Sequence, residues 1–347
     1  MQLLKKDMNV AFSEKRRLRV FLAYTSLEFN DAWQPELFAR LEHSMDVVRN
    51  YGPEVLIGAD LVKAAAECDL IIGYRSTPCD AATLQAMPSL LAFLRAAVDI
   101  STIDTDEASR LGILVTRVTP GFFDSVAELG IGLMVDLARG ISKHRLGLHG
   151  GYGVAPIQGC ELSGSTLGFV GYGGIARRMN ELAKAFGMRT VAYDPLLTEA
   201  DVKLLPLNEV LSQSAFVVCL AASNMHTRHL FNDCTFSLMK RGAYFINLSR
   251  GELVDEDALE ETLESGYLAG AALDVGSAAD QKPAHRFLAR RDVVVTQHIG
   301  ATTTQARARQ TLDILAQAEA IAKGIMPHGA VNRASAQRII SYLDLTL

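Results

Sequence analysis

Long apolar runs are missing from this chain of 347 residues, and the longest ones, such as Phe216 to Ala222, have only the length of a buried strand. A helix needs about 20 apolar residues to cross a membrane. The first segment, Met1 to Arg17, carries scattered charges and no apolar stretch of signal-peptide length. We therefore expect no membrane contact and a cytoplasmic location.

Basic clusters and paired cysteines are also lacking. The net charge is -5 and no stripe of lysine or arginine is present, so we expect no nucleic-acid partner. The cysteine count of 5 is odd, and the spacing is not that of metal ligands. The sequence thus predicts reduced thiols, no disulfide and no structural metal.

What is present is an ordinary globular composition, with 49% hydrophobic and 21% charged residues and enough length for two domains. Short apolar runs alternate with helical patterns, which is typical of parallel sheets with crossover helices. We predict an α/β fold of two doubly wound parallel-sheet domains. The predicted strands are Leu18–Tyr24, Leu70–Tyr74, Leu90–Arg95 and Ile113–Val118, and then Thr166–Val170, Thr190–Tyr193, Phe216–Leu220, Ala243–Leu248, Gly270–Val275 and Val293–Thr296.

Two helix predictions and one loop prediction bear on the domain boundary. One helix is expected over Asp31–Glu42. A longer helix is expected over Val126–Lys143, because Ser125 and Glu128 have capping-box spacing at its start. The glycine-rich segment 147–164 is predicted to be a loop.

A glycine-rich turn, Gly171-Tyr172-Gly173-Gly174-Ile175-Ala176, follows an apolar run and opens an amphipathic helix that ends near Gly187. In that context the G-x-G-x-x-G/A pattern binds a dinucleotide. Gly171 permits the tight turn, and Gly173 lets the backbone approach the pyrophosphate. The free amides of the helix N-terminus then face the phosphates. We predict cofactor contacts from Gly171, Tyr172, Gly173, Gly174 and Ile175.

Asp194 closes the next strand, roughly 20 residues after the turn, where an acidic residue bonds the adenosine ribose hydroxyls. A carboxylate there repels a 2′-phosphate. The sequence therefore predicts NAD rather than NADP as cofactor. The alternative is a surface aspartate with no ligand.

Two later strands end in residues that suit chemistry on an acid. Arg250 follows one of them, in Asn247-Leu248-Ser249-Arg250-Gly251, and His298 follows the other, in His298-Ile299-Gly300-Ala301. A planar guanidinium donates two bonds to a carboxylate and stays charged. An imidazole titrates near neutrality and so gives or takes a proton. Together with a nicotinamide, these are the groups needed to move a hydride to or from a 2-oxo acid.

At this point the chain resembles the D-isomer-specific 2-hydroxyacid dehydrogenases, a family that includes D-lactate, D-glycerate/hydroxypyruvate and D-3-phosphoglycerate dehydrogenases. The resemblance runs from about Leu18 to Asn332. The motifs that carry it, besides the glycine turn, are Val126-Ala127-Glu128-Leu129, Thr227-Arg228-His229-Leu230, Asn247 to Asp255, Ala271-Ala272-Leu273-Asp274-Val275, and Thr296 to Ala301.

The resemblance implies a domain plan. Residues 1–125 would form a flavodoxin-like substrate domain, residues 126–302 a Rossmann NAD-binding domain, and residues 303–347 would return to the substrate domain. The active site is then expected in the cleft between the domains. A homodimer is expected, with the helix over Val126–Lys143 at the contact. The tail Arg333–Leu347 lies past the resemblance, and its apolar residues dock either on the domain or on a partner.

The resemblance also implies roles for single residues. Arg250 would grip the substrate carboxylate and polarise the 2-oxo group, and His298 would be the acid/base. Asp274 would bond the nicotinamide carboxamide and, with Ser249, contact the cofactor. No metal is implied.

Two segments of the first domain match family loops that touch substrate. Arg75 and Ser76 follow a strand, although a plain surface turn is the alternative there. Ala97, Val98 and Asp99 match the loop whose backbone amides cradle the carboxylate. The family has glycines at positions 97 and 99, so a Cβ and a negative charge stand where backbone would approach the anion. Asp99 either points to solvent or marks a smaller, differently posed or partly cationic substrate.

A second departure concerns the partner of the catalytic histidine. The family carries a glutamate five residues after the aspartate that aligns with Asp274, and the residue here is Ala279. Without that carboxylate His298 should hold its proton less tightly. Three outcomes follow: Asp280 replaces the glutamate, the pH optimum for reduction is lowered, or the chain binds NAD and turns over poorly.

The sequence thus predicts an NAD-dependent oxidoreductase that moves a hydride between nicotinamide and a small D-2-hydroxy or 2-oxo acid. Two alternatives stand beside it. One is an NAD(H)-binding regulator or scaffold on a dehydrogenase fold. The other is a dehydrogenase for another small anion, such as phosphite.

Overall fold

The computed structural model describes residues 16–149, 158–278 and 281–344. The chain divides into a first unit, Met1–Gly121 with Arg307–Leu347, and a second unit, Phe122–Ala306. The boundaries expected from the sequence were 125/126 and 302/303. Each unit is built on one parallel sheet.

The strands follow one another along the chain with helices between most of them. They are β1 Arg19–Ala23, β2 Asp46–Arg49, β3 Leu70–Gly73, β4 Ala92–Arg95, β5 Leu114–Arg117, β6 Thr166–Val170, β7 Arg189–Tyr193, β8 Lys203–Leu204, β9 Phe216–Cys219, β10 Tyr244–Asn247, β11 Gly270–Leu273 and β12 Val293–Val295. The helices are α1 Ser26–Ala32, α2 Pro35–Ser44, α3 Gly58–Ala64, α4 Ala81–Gln85, α5 Thr105–Arg110, α6 Phe123–Arg139, α7 Ile141–His149, α8 Gly174–Ala185, α9 Leu207–Gln213, α10 Asp233–Ser237, α11 Glu256–Glu264, α12 His285–Leu288, α13 Thr304–Ala322 and α14 Gln337–Asp344.

The first sheet has five parallel strands in the order β2-β1-β3-β4-β5. This is the flavodoxin-like order. Strands β3 and β4 are buried on both faces, because their apolar runs leave no polar side to solvent. The predicted fold of this part is confirmed, with β2 as an additional edge strand that the half-exposed sequence Asp-Val-Val-Arg did not reveal.

The second sheet has seven parallel strands in the order β12-β11-β10-β9-β6-β7-β8. Counted from β6, this is the doubly wound dinucleotide-binding order with one more strand at the far edge. The chain reverses direction across the sheet between β6 and β9. The six predicted strands are all present, and the short strand β8 adds a seventh.

The helix predicted near Asp31–Glu42 is present as α2 with shifted bounds, Pro35–Ser44, and a separate helix, α1, precedes it. Thr25 caps α1 in a capping box with Glu28, and Pro35 provides the first turn of α2. Trp33 ends α1 in an extended conformation between them. Local capping, which the apolar spacing did not show, decides these boundaries.

The predicted capping box at Ser125 is wrong. Helix α6 begins at Phe123, and the Ser125 hydroxyl lies 2.8 Å from that of Thr303. The helix ends at Arg139 because Gly140 is left-handed, and α7 continues from Ile141. Helix α7 reaches into the segment predicted as a loop, and residues 150–157 of that segment lie outside the described residues.

The C-terminal tail docks on its own chain. Ile339 and Leu343 of α14 are buried in the core of the first unit with residues of β1, β3 and α13. The tail position 345 lies outside the described residues. This decides the alternative between domain and partner for the described part of the tail.

Neither a membrane span nor a metal cluster occurs in the part of the chain that the structure describes. Among these residues no helix is both long and apolar enough to cross a membrane. The same residues contain no group of three or more His, Cys, Asp or Glu placed to hold a metal ion. All the cysteines are free thiols, and Cys219 is buried in β9 as a small apolar residue.

Candidate active site

The glycine turn lies at the carboxyl end of β6, where the sheet reverses. Gly171 has φ of +90°, and a Cβ there would lie 2.4 Å from the amide nitrogen of Ala221. The fold itself therefore requires glycine at this position. Its amide donates to the carbonyl of Tyr193, which joins the turn to β7.

Gly173 has a different reason to be glycine. Its backbone is extended, and a Cβ there would meet no protein atom within 4 Å. Packing within the protein does not require glycine here, so the open space beside the N-terminus of α8 is available to a ligand. The helix begins at Gly174, and its first amides, including that of Ile175, have no intrahelical partner. An open cradle beside such amides fits the pyrophosphate of NAD.

Asp194 supports the same turn. One carboxylate oxygen accepts the Tyr172 amide at 2.8 Å and the other accepts the Leu196 amide at 3.0 Å. A carboxylate has about four acceptor sites, so places remain for ribose hydroxyls. The Tyr172 side chain points into the core, where its hydroxyl donates to Asp201, so only its backbone faces the turn.

Arg250 stands on a loop that Asn247 organises at the end of β10. The buried Asn247 side chain donates to the Arg250 carbonyl at 2.9 Å and accepts the Ser249 amide at 3.1 Å. The Ser249 hydroxyl donates to the carbonyl of Ala221, so it holds the loop beside the glycine turn. In the described part of the chain Arg250 makes no ion pair, and its guanidinium donates one bond, to the Ser249 carbonyl.

Asp274 organises the loop that carries His298. It is 3% exposed, and its carboxylate accepts the Thr296 hydroxyl at 2.6 Å, the Ile299 amide at 2.8 Å and the Gly300 amide at 2.9 Å. The sequence indicated a cofactor contact for Asp274 and missed this positioning role. No sequence pattern shows this role, because the groups that Asp274 binds lie 22 to 26 residues further along the chain.

His298 has a left-handed backbone, with φ of 57°. This conformation is uncommon outside glycine, although His, Asn and Asp adopt it more than other residues do. The His298 amide donates to the Asp274 carbonyl at 2.7 Å, and the Asp274 amide donates to the Asn247 carbonyl at 3.1 Å. One chain of hydrogen bonds thus fixes the Arg250 loop and the His298 loop at the same edge of the sheet.

The two predicted substrate segments of the first unit follow β3 and β4. Arg75 and Ser76 are exposed, and the Ser76 hydroxyl donates to Glu28 at 2.6 Å. Ala97 is buried, Val98 is half-buried and Asp99 is exposed, with a carboxylate oxygen that accepts the Ser101 amide at 2.9 Å. Each segment therefore contains or contacts a fixed carboxylate.

Arg95 joins these two segments, a role that its sequence position did not indicate. It is fully buried and donates to the carbonyls of Tyr74 and Thr77, the latter at 2.8 Å, and to the Thr102 hydroxyl at 2.8 Å. Burial lowers the pKa of Arg95 to about 10, while the charge of Asp99 raises it. The group remains a cation at neutral pH, and its bonds to main-chain carbonyls fix the shape of both loops.

The predicted replacement for the missing glutamate, Asp280, lies outside the described residues, as does Ala279. Nearby, the Gln281 side chain donates to Glu252 at 3.0 Å. This bond is the main cause that lowers the pKa of Glu252, and the charges of Arg250 and Arg228 lower it further. Glu252 is therefore an ionised carboxylate whose charge is felt by Arg250.

The fold is that of two doubly wound units, and the second unit has the strand order and glycine turn of a dinucleotide-binding domain. The model of the family described as "D-isomer specific 2-hydroxyacid dehydrogenase, NAD binding domain" matches residues 131–300. The chain is 33% identical over 261 residues to a hydroxypyruvate reductase of Thermotoga maritima, and the match covers 74% of this chain and 85% of the relative. The chain belongs to the D-isomer-specific 2-hydroxyacid dehydrogenase family.

Two further comparisons are with a longer relative and with a solved structure. It is 34% identical over 280 residues to the D-3-phosphoglycerate dehydrogenase of Rattus norvegicus, across 79% of this chain and 52% of the relative, so the chain spans about half the length of that protein. The solved structure of the TT0316 protein from Thermus thermophilus has a TM-score of 0.80 and 28% identity, and the match covers 90% of this chain and 100% of that one. The predicted family, fold class and NAD cofactor are confirmed, and the family is one of NAD-dependent oxidoreductases of hydroxy acids.

Proposed function

We propose that this chain is an NAD-dependent dehydrogenase that interconverts a small D-2-hydroxy acid and its 2-oxo acid. The observation that carries the proposal is the carboxyl edge of the second sheet, where hydrogen bonds fix Arg250 and His298 on one side of the glycine turn. A pure NAD-binding regulator needs neither side chain. The relatives matched above are named as a dehydrogenase and a reductase, and neither alternative function is favoured.

The roles of the residues follow from their chemistry. Bound NAD supplies the hydride acceptor or, when reduced, the hydride donor. Arg250 pairs with the substrate carboxylate and polarises the 2-oxo group through a second N–H. His298 donates a proton to the carbonyl oxygen during reduction and removes it from the hydroxyl during oxidation. Asp274 holds the His298 loop, and its remaining acceptor capacity suits a cofactor amide. Arg75, Ser76 and the 97–99 loop contact the substrate.

The direct test is oxidation of NADH, followed by its ultraviolet absorbance, against glyoxylate, hydroxypyruvate, pyruvate and longer 2-oxo acids. Turnover with at least one of them supports the dehydrogenase. Tight NADH binding, measured by fluorescence, without turnover of any 2-oxo acid would contradict the proposal and favour a binding protein. Turnover of phosphite with NAD in the same assay would identify the remaining alternative.

Cofactor choice is the first prediction. We expect Asp194→Asn to weaken the preference for NAD over NADP by about tenfold, because it removes the charge that opposes a 2′-phosphate and keeps one acceptor for the Tyr172 amide. The measurement is kcat/KM for both cofactors. Glu199→Gln, an exposed carboxylate on the same loop, is the matched control. If the ratio of kcat/KM for NAD to that for NADP is unchanged in Asp194→Asn, Asp194 does not select the cofactor.

The second prediction concerns the missing glutamate. Ala279→Glu should raise the pKa of the His298 imidazole by about one unit, since an adjacent carboxylate favours the charged form. Reduction uses the protonated ring, so it should persist to higher pH. Oxidation uses the neutral ring, so its onset should also move to higher pH. Ala278→Glu, the same change at the exposed neighbouring position, is the control for the pH profiles.

If Ala279→Glu and Ala278→Glu shift the pH profiles equally, the shift comes from the added negative charge in general, and not from a carboxylate paired with His298. Asp280→Asn separates the remaining outcome. A changed rate and pH profile would support Asp280 as the substitute carboxylate, and an unchanged profile would exclude it.

We also propose a cytoplasmic homodimer. Ile141, Leu146 and Leu148, at and after the end of α6, are 55%, 59% and 71% exposed, which is a large apolar surface for one helix. Sedimentation equilibrium of the purified protein decides the oligomeric state.

A further inference from the structure

The loops of the first unit that we propose to contact substrate are balanced in charge. These substrate loops are residues 74–77, after β3, and residues 96–102, after β4. The charged groups in them, or bonded to them directly or through Arg307, are three guanidinium groups and three carboxylates, on Arg75, Arg95, Arg307, Glu28, Asp31 and Asp99. What matters for a ligand is which of these charges are already used.

Two of the three cations serve the protein itself. Arg95 is fully buried and directs its N–H groups to Tyr74, Thr77 and Thr102, so these donors are already used within the protein. Arg307 donates to the Tyr74 hydroxyl and pairs with Asp31 at 3.8 Å. Neither guanidinium is available as a surplus charge for a substrate.

The third cation, Arg75, is exposed and precedes Ser76, which binds a carboxylate. Glu28 accepts the hydroxyl of the neighbouring Ser76 at 2.6 Å and the Thr25 amide at 2.8 Å, so both of its oxygens are held. This carboxylate cannot move far without breaking the cap of α1. Its negative charge is thus held at Ser76, in a loop that we propose to contact substrate.

Asp99 adds a second fixed carboxylate on the other loop. It stands where the family has a glycine, is exposed, and is held by the Ser101 amide at 2.9 Å. A substrate group near this loop would meet a negative charge in place of bare backbone. In the proposed function Arg250 pairs with the substrate carboxylate, and a second anionic group near these loops would meet the fixed carboxylates of Glu28 and Asp99.

We propose that the substrate is a monoanionic 2-oxo or 2-hydroxy acid, and that the substrate loops select against a second anionic group such as a 3-phosphate. This inference rests on the proposed function and extends it to the charge of the substrate. Glu28 and Asp99 are specificity-determining residues in this assignment. Small acids with an uncharged or hydroxylated C3 are the class that fits.

The test compares kcat/KM for hydroxypyruvate and for 3-phosphohydroxypyruvate. The native protein should favour hydroxypyruvate by about tenfold or more, and Glu28→Gln and Asp99→Asn should each reduce that ratio by about three- to tenfold. Asp99→Asn keeps an acceptor oxygen for the Ser101 amide, and Glu28→Gln keeps one for the Thr25 amide while its NH2 group donates to the Ser76 hydroxyl oxygen. Asp46→Asn is the control, since this exposed carboxylate starts β2 at the amino edge of the same sheet.

Salt separates charge selection from a change of loop shape. If charge is the cause, the native ratio should fall as ionic strength rises, because ions screen exposed charges. A purely structural role of Glu28 or Asp99 would leave the ratio independent of salt. Preference of the native protein for the phosphorylated acid, or ratios unchanged in both variants, would overturn the proposal.

Failure of the proposed function is recognised separately. If neither acid is reduced, the dehydrogenase proposal fails, and the charge selection is decided by calorimetric binding of D-glycerate and 3-phospho-D-glycerate to the protein loaded with NAD. The inference is supported if the native protein binds D-glycerate more tightly than 3-phospho-D-glycerate and if this difference in affinity becomes smaller or reverses in Glu28→Gln and Asp99→Asn. Tighter binding of the phosphorylated acid contradicts it.

Discussion

Arg250→Ala should lower kcat/KM for the 2-oxo acid by about 10²–10³-fold, with unchanged binding of NADH. Removal of one partner of a hydrogen-bonded charge pair costs about 2–5 kcal/mol, and about 1.4 kcal/mol corresponds to a factor of ten. The loop itself should survive, because Asn247 and Ser249 hold it through bonds that do not use the guanidinium. Steady-state kinetics and NADH fluorescence titration measure the two effects.

The matched control for Arg250→Ala is Arg228→Ala. Both arginines lower the pKa of Glu252, so both substitutions remove a cation from the same neighbourhood. Arg228 is exposed, and we expect its substitution to change kcat/KM little. Arg250→Lys should recover only part of the loss, because an ammonium cannot make the two parallel bonds of a guanidinium. Equal losses in Arg250→Ala and Arg228→Ala would contradict a direct contact between Arg250 and substrate.

His298→Asn should lower kcat in both directions by about 10²–10⁴-fold, the usual contribution of a positioned acid or base. Asparagine is the informative substitution because it accepts the left-handed backbone that His298 has, whereas alanine adds strain there. The hydrogen bond from the main-chain amide of residue 298 to the Asp274 carbonyl is kept, because it does not involve the side chain. Measurement of kcat from acid to alkaline pH should also show that the pH dependence assigned to the imidazole is lost.

His229→Asn is the control for this variant. His229 also has a left-handed backbone, with φ of 49°, and its ring lies 3.7 Å from Asp255. Its substitution changes the same residue type in the same conformation within the same unit. A loss of kcat in His229→Asn as large as that in His298→Asn would mean that loop distortion, and not proton transfer, explains the effect.

Much of the architecture could be predicted from sequence because it follows from local patterns. Continuous apolar runs such as Leu70–Gly73 predict a strand that is buried on both faces, and their alternation with helices leaves few topologies for parallel sheets. The edge strand β2 escaped prediction because only one side of it has a partner, so its sequence is only half apolar. Helix α6 begins three residues earlier than predicted, and Ser125, expected to cap it, bonds instead to Thr303, which is distant in sequence.

Some residues of the candidate site could also be recognised from the sequence, and others could not. Gly171, Arg250 and His298 were recognisable because each lies at the end of a strand in a motif with its own chemistry. Arg95 was not recognisable, since a single arginine closing an apolar strand looks like a surface cation. Only the fold shows that it is fully buried and bonded to two loops. Glu28 was equally hidden, because its partner Ser76 is far away in sequence.

By itself the sequence determined the two doubly wound units, the glycine turn that we propose to bind NAD, and the identity of the cation and the imidazole at the sheet edge. These depend on residue type and on spacing along the chain, which are local quantities. The tertiary structure alone decided how Asp274 holds the His298 loop, which cations remain available, and where the fixed carboxylates stand. Those properties depend on contacts between distant segments and on burial, and both arise only when the chain is packed.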